Sequence, residues 1–342
     1  MKPELCYMNI VTQSKLLALS IAFCVTTLLP SPAHAAKAVR ALITNWGGDS
    51  IAVVDPVEGT VIADIKTGLK PHGVDIAPDG KTIYVSNEGD GTLSFIDPAK
   101  NKVTATISVG SAPNQIITSP DGRYVFVTLN TDGTVAVVGT AERKVIKTVP
   151  DGRGPHIFML RPDGKRLYVT CEGDMKLVEM DVESWKVTGE TPLFTWPRVL
   201  AQTPDGRKVY QTIRWLNGAL VIDPEKRQVV DRIALGEPKF ASEGKDAHGI
   251  AVTPDGKELW IATQTTDDVT ILSTADHRVL GKVQVGRDPN WLEFTPDGKL
   301  AVVSNTGSGD VSVIDAARRT VIHTVKVGPA PKRLDVDAVV VQ

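Results

Sequence analysis

The chain has 342 residues, 38 lysines and arginines against 40 aspartates and glutamates, and a formal charge of −2. That balance gives no general pull toward nucleic acid or an anionic membrane surface, so any charge preference must be local. Three cysteines in this length exclude a disulfide-dense scaffold, and stability must come from packing.

The first 35 residues read as a targeting segment. Lys2 and Lys15 flank a polar start, residues 16–29 form an apolar run too short to span a bilayer with ease, and Ala33-His34-Ala35 supplies the small residues of a cleavage site. A secretory signal cut near Ala35 is expected, which puts the protein in the periplasm or outside the cell. Phe23 before Cys24 is too bulky for lipid attachment. Cys6 and Cys24 leave with the signal, so the remaining chain keeps only Cys171 and forms no internal disulfide. The 307 residues from 36 to 342 suffice for one large domain, with no transmembrane segment expected in it.

Beyond the signal the sequence is periodic. Pro-Asp-Gly begins at Pro78, Pro120, Pro162, Pro204, Pro254 and Pro296, in steps of 42, 42, 42, 50 and 42 residues. Within each period four short runs rich in Val, Ile, Tyr, Phe and Thr are separated by Pro, Gly, Asp and Asn, the pattern of strands and turns. In the second unit these strands are predicted over 73–77, 82–86, 93–96 and 103–109. Pro-Asp-Gly suits the first hairpin: Pro presets its φ, Asp bonds nearby backbone, and Gly accepts positive φ. The Asp-Pro pairs at Asp55, Asp97 and Asp223 mark the turn between third and fourth strands. No stretch carries a sustained helical period.

The ends decide between an open array and a ring. Residues 40–45, 51–54 and 61–65 match strands two to four of a unit and lack a first strand, which Pro331-Lys332-Arg333-Leu334-Asp335-Val336 supplies. Six whole units and one shared between the termini make seven, and closing them leaves no exposed sheet edge. The expected fold is all-β, a seven-bladed propeller of four-stranded antiparallel blades.

Tyr84-Val85-Ser86-Asn87, Tyr168-Val169-Thr170-Cys171 and Val302-Val303-Ser304-Asn305 follow Pro-Asp-Gly triplets, and in this the chain resembles the YVTN-repeat family of seven-bladed propellers, which includes YncE-like periplasmic proteins. The resemblance covers essentially all of residues 36–342 and implies the fold and an exported location. The same architecture is similar to the propellers of nitrous oxide reductase, of haem d1 proteins and of lactonases, so it does not choose a function.

A site is expected on the face where fourth-to-first and second-to-third strand loops emerge around the channel. Six residues before each Pro-Asp-Gly proline, and by register in the shared unit, stand His72, Asn114, His156, Arg198, His248, Asn290 and Lys332. Three of the six histidines in the chain share this register, on alternating blades. They either bond neighbouring backbone and line a wet channel, ligate copper or zinc, or touch an organic or anionic ligand. His277 and His323 are expected at exposed positions. Around the same mouth lie Trp46 and Trp215 in second-to-third loops, Trp196 two residues before Arg198, and Trp291 beside Asn290. Trp196 with Arg198, and Arg214 with Trp215, pair an apolar plate with a cation; blade packing is the alternative use of such rings. Trp260, inside a second strand, belongs to the core. Glu88 and Glu172 hold matching loop positions as an acid, a base or solvated carboxylates.

The connection before His248 is longer than its sisters by eight residues, about 237–244, and enlarges one loop on this face. There is no covalent-haem motif, phosphate loop or nucleophile elbow, and Cys171 is expected to be a buried, inert thiol. These features favour a monomeric, non-enzymatic binding or scaffold propeller whose mouth takes a small ligand, an anion among the candidates, or a protein partner. The alternative is a copper-, zinc- or cofactor-dependent enzyme with His72, His156 and His248 as ligands and Arg198 or Lys332 on an anionic substrate.

Overall fold

The computed structural model describes residues 36–236 and 246–341. The expected signal and the eight-residue insertion therefore lie outside the described residues. Seven four-stranded antiparallel sheets account for all the regular structure, and among the described residues no helix is long and apolar enough to cross a membrane.

Blade I joins the ends of the chain, pairing Pro331–Val340 with Lys37–Asn45, then Ser50–Asp55 and Thr60–Lys66. The contact between chain ends is longer than the repeat requires, since pairing runs from Ile43↔Leu334 out to Lys37↔Val340. The other inner strands are Pro71–Ile76 in blade II, Pro113–Thr118 in III, Pro155–Leu160 in IV, Pro197–Gln202 in V, Ala247–Val252 in VI and Pro289–Phe294 in VII.

Position in the blade explains the composition of each strand. Second strands such as Ile83–Asn87 are buried along their whole length, because blades cover both their faces, and they read as continuous apolar runs. Fourth strands such as Lys102–Ser108 form the outer wall and alternate between exposed and half-buried residues. Trp260 is fully buried and meets Phe294 of blade VII edge-on at 5.1 Å, as core packing between blades requires. At the hairpins Gly80 takes φ +73°, and a Cβ there would lie 2.6 Å from the Ala338 carbonyl oxygen.

The inner strands begin with a register shift. In blade II the pairing jumps from Pro71↔Asn87 to Val74↔Val85, leaving His72 and Gly73 outside the ladder. A second-strand hydroxyl takes the freed groups: Ser86 Oγ accepts the Gly73 N–H at 2.8 Å and donates to the Asn114 carbonyl of blade III at 2.5 Å. Thr44, Thr128, Thr212 and Ser304 donate likewise to the carbonyls of His72, His156, His248 and Lys332. The Ser or Thr of the repeat motif is thus the clamp between blades, and it fixes the backbone of each residue at the channel mouth.

Candidate functional site

The register-shifted residues converge on a cavity of about 360 Å³ lined by His72, Glu88, Asn114, Asn130, His156, Glu172, Arg198, His248, Gln264, Asn290, Lys332 and Arg333. All seven expected first-strand positions are present, together with both loop carboxylates. Asn130, Gln264 and Arg333 extend the set. The first two share the loop register of Glu88 and Glu172, and Arg333 follows Lys332 on the inner strand.

Arg333 is the main addition. Its exposure is 2%, its Nη2 donates to His156 Nε2 at 3.2 Å across the channel, and its guanidinium stacks over Trp291 at 4.4 Å. Nε and Nη1 are buried without a hydrogen-bond partner. Reaching from blade I to residues of blades IV and VII, this side chain gives the cavity a cationic floor. Trp291, expected at the mouth, is buried as the plate beneath it.

Arg198 and Lys332 complete the cationic set. Lys332 Nζ stands 4.2 Å over the Trp46 ring, which Lys70 also approaches at 4.8 Å. Among the described residues no carboxylate lies within ion-pair distance of Arg198, Lys332 or Arg333, and Arg198 makes no hydrogen bond. Burial pulls Lys332 down to about 8, with Glu88 opposing and Arg333 and Lys70 adding to the fall. Arg333 and Arg198 are lowered by the same desolvation. At the rim Arg214 sits between Trp196 at 4.8 Å and Trp215 at 5.0 Å, so that the expected pairing of Trp196 with Arg198 is made with Arg214 instead.

The three histidines are neutral, and they differ in their partners. Burial first, then Arg333 and its neighbouring cations, hold His72 and His156 well below the ordinary imidazole value; burial and then Arg198 do so for His248. His156 accepts from Arg333 at Nε2, so its proton is on Nδ1, which faces Glu172 Oε1 at 3.2 Å outside good hydrogen-bond geometry. His248 Nδ1 donates to the Asn290 carbonyl at 2.7 Å. That carbonyl is the one the blade VI clamp would have bonded, and blade VI has Ala262 where its sisters have Ser or Thr. His248 therefore replaces a missing hydroxyl. His72 lies 6.1 Å from His156, centroid to centroid, with its Nδ1 unbonded.

Glu88 Oε2 accepts from Trp46 Nε1 at 3.0 Å. Glu172 is raised above the ordinary carboxyl value by burial, against the pull of Arg198, Arg333 and Arg214. Elsewhere, His277 and His323 are half-buried rather than exposed. His277 packs on Tyr210 with Asp231 at 3.3 Å, and His323 meets the Val57 carbonyl at 3.0 Å, so each ties one blade to the next. Cys171 is buried and donates to Asp151 Oδ2 at 3.1 Å; burial pushes its thiol far up, away from reactivity.

Farther along the inner strands, three residues past the mouth register, Asp75, Glu293 and Asp335 form a half-buried acidic row on blades II, VII and I. Asp335 accepts from Ile76 N, and Asp75 from Thr118 N, at 2.8 Å each, bonds that cross to the next blade. Desolvation first, then repulsion by Asp335, raises Asp75 and Glu293, and desolvation with repulsion by Asp337 raises Asp335 to about 7. Reading the sequence at the mouth register alone missed this row; acids amid Ile117, Met159, Ala201 and Ala251 were the signal.

Residues 140–333 match the family described as lactonase, 7-bladed beta-propeller, and residues 10–136 match the YNCE-like beta-propeller. The chain belongs to this family of seven-bladed propellers. Among solved structures it is similar to the hydrazine synthase of Kuenenia stuttgartiensis, at 24% identity and TM-score 0.74 over 81% of this chain and 92% of that one. It is also similar to the dihydro-heme d1 dehydrogenase NirN, at 16% identity and TM-score 0.65 over 84% of this chain and 63% of that one. A protein of Bacteroides fragilis provisionally described as a 6-phosphogluconolactonase gives 15% identity and TM-score 0.71 over 87% and 97%. At these identities the likeness is one of fold. No curated protein matches the sequence.

Proposed function

We propose that the protein is a non-enzymatic binding propeller that takes a small anionic ligand in its channel mouth. One observation carries this: Arg198, Lys332 and Arg333 line a single cavity with no carboxylate in ion-pair distance among the described residues. Burying unpaired cations costs free energy that an anion returns on binding. Neutral His72 and His248, with Asn114 and Asn290, add directional polar groups without more charge. The export signal expected over residues 1–35 assigns this role to the periplasm or the exterior, and the chain is proposed to act as a monomer with the mouth face open to ligand or partner. Calorimetric titration with sulfate, phosphate and acetate at pH 7 tests the reading. Binding that is lost in Arg198→Gln is expected, and failure of every anion to bind would overturn it.

The metal-enzyme alternative fits the residues less well. Arg333 occupies the His156 Nε2 lone pair, and among the described residues no three His, Cys, Asp or Glu are grouped to hold a metal ion. Copper and zinc analysis of the protein purified from the periplasm checks it: stoichiometric metal that disappears in the His72, His156, His248→Ala triple variant would favour the enzyme. Lactone hydrolysis, suggested by the family description, needs a free base. His156, with Glu172 behind it, is the best placed, and its Nε2 is already bonded.

A further inference from the structure

We infer that the ligand is a zwitterion, a short carboxylate that also bears an amine or quaternary ammonium group. This rests on the anion-binding reading and adds a second, opposite charge to it. The cavity that holds three cations also holds Glu88 and Glu172, and neither carboxylate is paired with any of those cations. Each has one polar contact in the cavity, Trp46 Nε1 at 3.0 Å for Glu88 and His156 Nδ1 at 3.2 Å for Glu172. In a small space lined by both signs, side chains of a self-sufficient protein would be expected to close into ion pairs. Here they are held apart.

The order of the blades sets each carboxylate beside a cation-bearing blade without an ion pair between them. From blade I to blade V the mouth carries Lys332 and Arg333, then Glu88, then Asn114 and Asn130, then Glu172, then Arg198. The carboxylates come from second-to-third strand loops on blades II and IV, flanking the asparagines of blade III. The cations come from inner strands on blades I and V, and Arg333 crosses beneath them to His156 and Trp291. A plain anion such as sulfate seated on this floor would meet three cations and also two carboxylates. A plain amine would meet the reverse. A ligand whose carboxylate rests on Arg333 and Arg198 and whose ammonium faces Glu172 and Glu88 satisfies both sets at once. A volume of about 360 Å³ admits a body on the order of ten non-hydrogen atoms.

The test is calorimetric titration of the mature protein at pH 7 with chain-matched pairs: acetate and glycine, propionate and β-alanine, butyrate and 4-aminobutyrate. At least one amino acid is expected to bind about tenfold or more tightly than its matched carboxylate. In Glu88→Gln/Glu172→Gln that preference should vanish while the plain carboxylate still binds; Glu88→Gln alone, at a rim position, should halve or better the preference if the double variant does not fold. If the plain carboxylates bind as well as their amino partners, the zwitterion inference falls and the anion reading stands. If neither class binds, both fall.

Discussion

The two faces of this propeller are built from the same repeats and treat them differently. At the hairpins the six whole units do one thing: Asp79, Asp121, Asp163, Asp205, Asp255 and Asp297 each accept from the backbone N–H two residues on, at 2.9–3.1 Å. At the mouth the equivalent positions carry His, Asn, Arg and Lys, and the backbone beneath them is held by a repeated hydroxyl clamp. Where the repeat must make a turn or join blades, backbone geometry fixes the residue. Where the backbone is already held, the side chain is free to vary, and there the charge collects.

The largest expected effect lies on the mouth side. Arg198→Gln should weaken anion binding by about a hundredfold, the scale of a charge-assisted bond lost, as read by calorimetry, while leaving resistance to denaturant equal or higher because an unpaired cation is gone. The clamp should show the opposite split. Thr128→Val removes a donor to the His156 carbonyl and an acceptor for the Gln115 N–H, and should cost about 1–3 kcal/mol in denaturant unfolding.

The acidic row gives a pH-dependent contrast. The folded protein raises Asp335 to about 7, above the usual carboxyl value, so the native state holds its proton more tightly than the unfolded chain. Its contribution is present below about pH 4 and is lost as pH rises toward about 7. Asp335→Asn should flatten that part of the stability curve, a difference on the order of 1–3 kcal/mol between the two pH values. Lys332, pulled down to about 8, predicts that anion affinity weakens severalfold between about pH 7 and 9, and that Lys332→Arg removes the step. The smallest effect belongs to the hairpin face: Asp205→Ala should lower the denaturant midpoint only slightly and leave anion affinity unchanged.

The fold was legible because a turn and a clamp recur in sequence at a fixed interval, and because Pro331 to Val336 supplied the strand that the N-terminus lacked. The mouth positions were legible for the same reason: His72 and its register mates could be counted. Arg333 was not, since it occupies the position of Gly73, Ile157 and Trp291, where a following residue should face inward and apolar. Only the register shift shows that two successive side chains turn to the channel. The separate roles of the histidines were hidden too. Seeing that His248 substitutes for a hydroxyl required knowing that its ring reaches the Asn290 carbonyl, which in blade II the Ser86 clamp takes at the equivalent Asn114.

The central claim is that the mouth cations are kept unpaired for an anion, and the most direct measurement is denaturant unfolding of wild type and Arg198→Gln, each with and without saturating sulfate. Wild type should be stabilised by sulfate, and Arg198→Gln should match or exceed wild type without it and gain little from it. An Arg198→Gln protein that is less stable without sulfate, yet gains as much from it as wild type, would contradict the account.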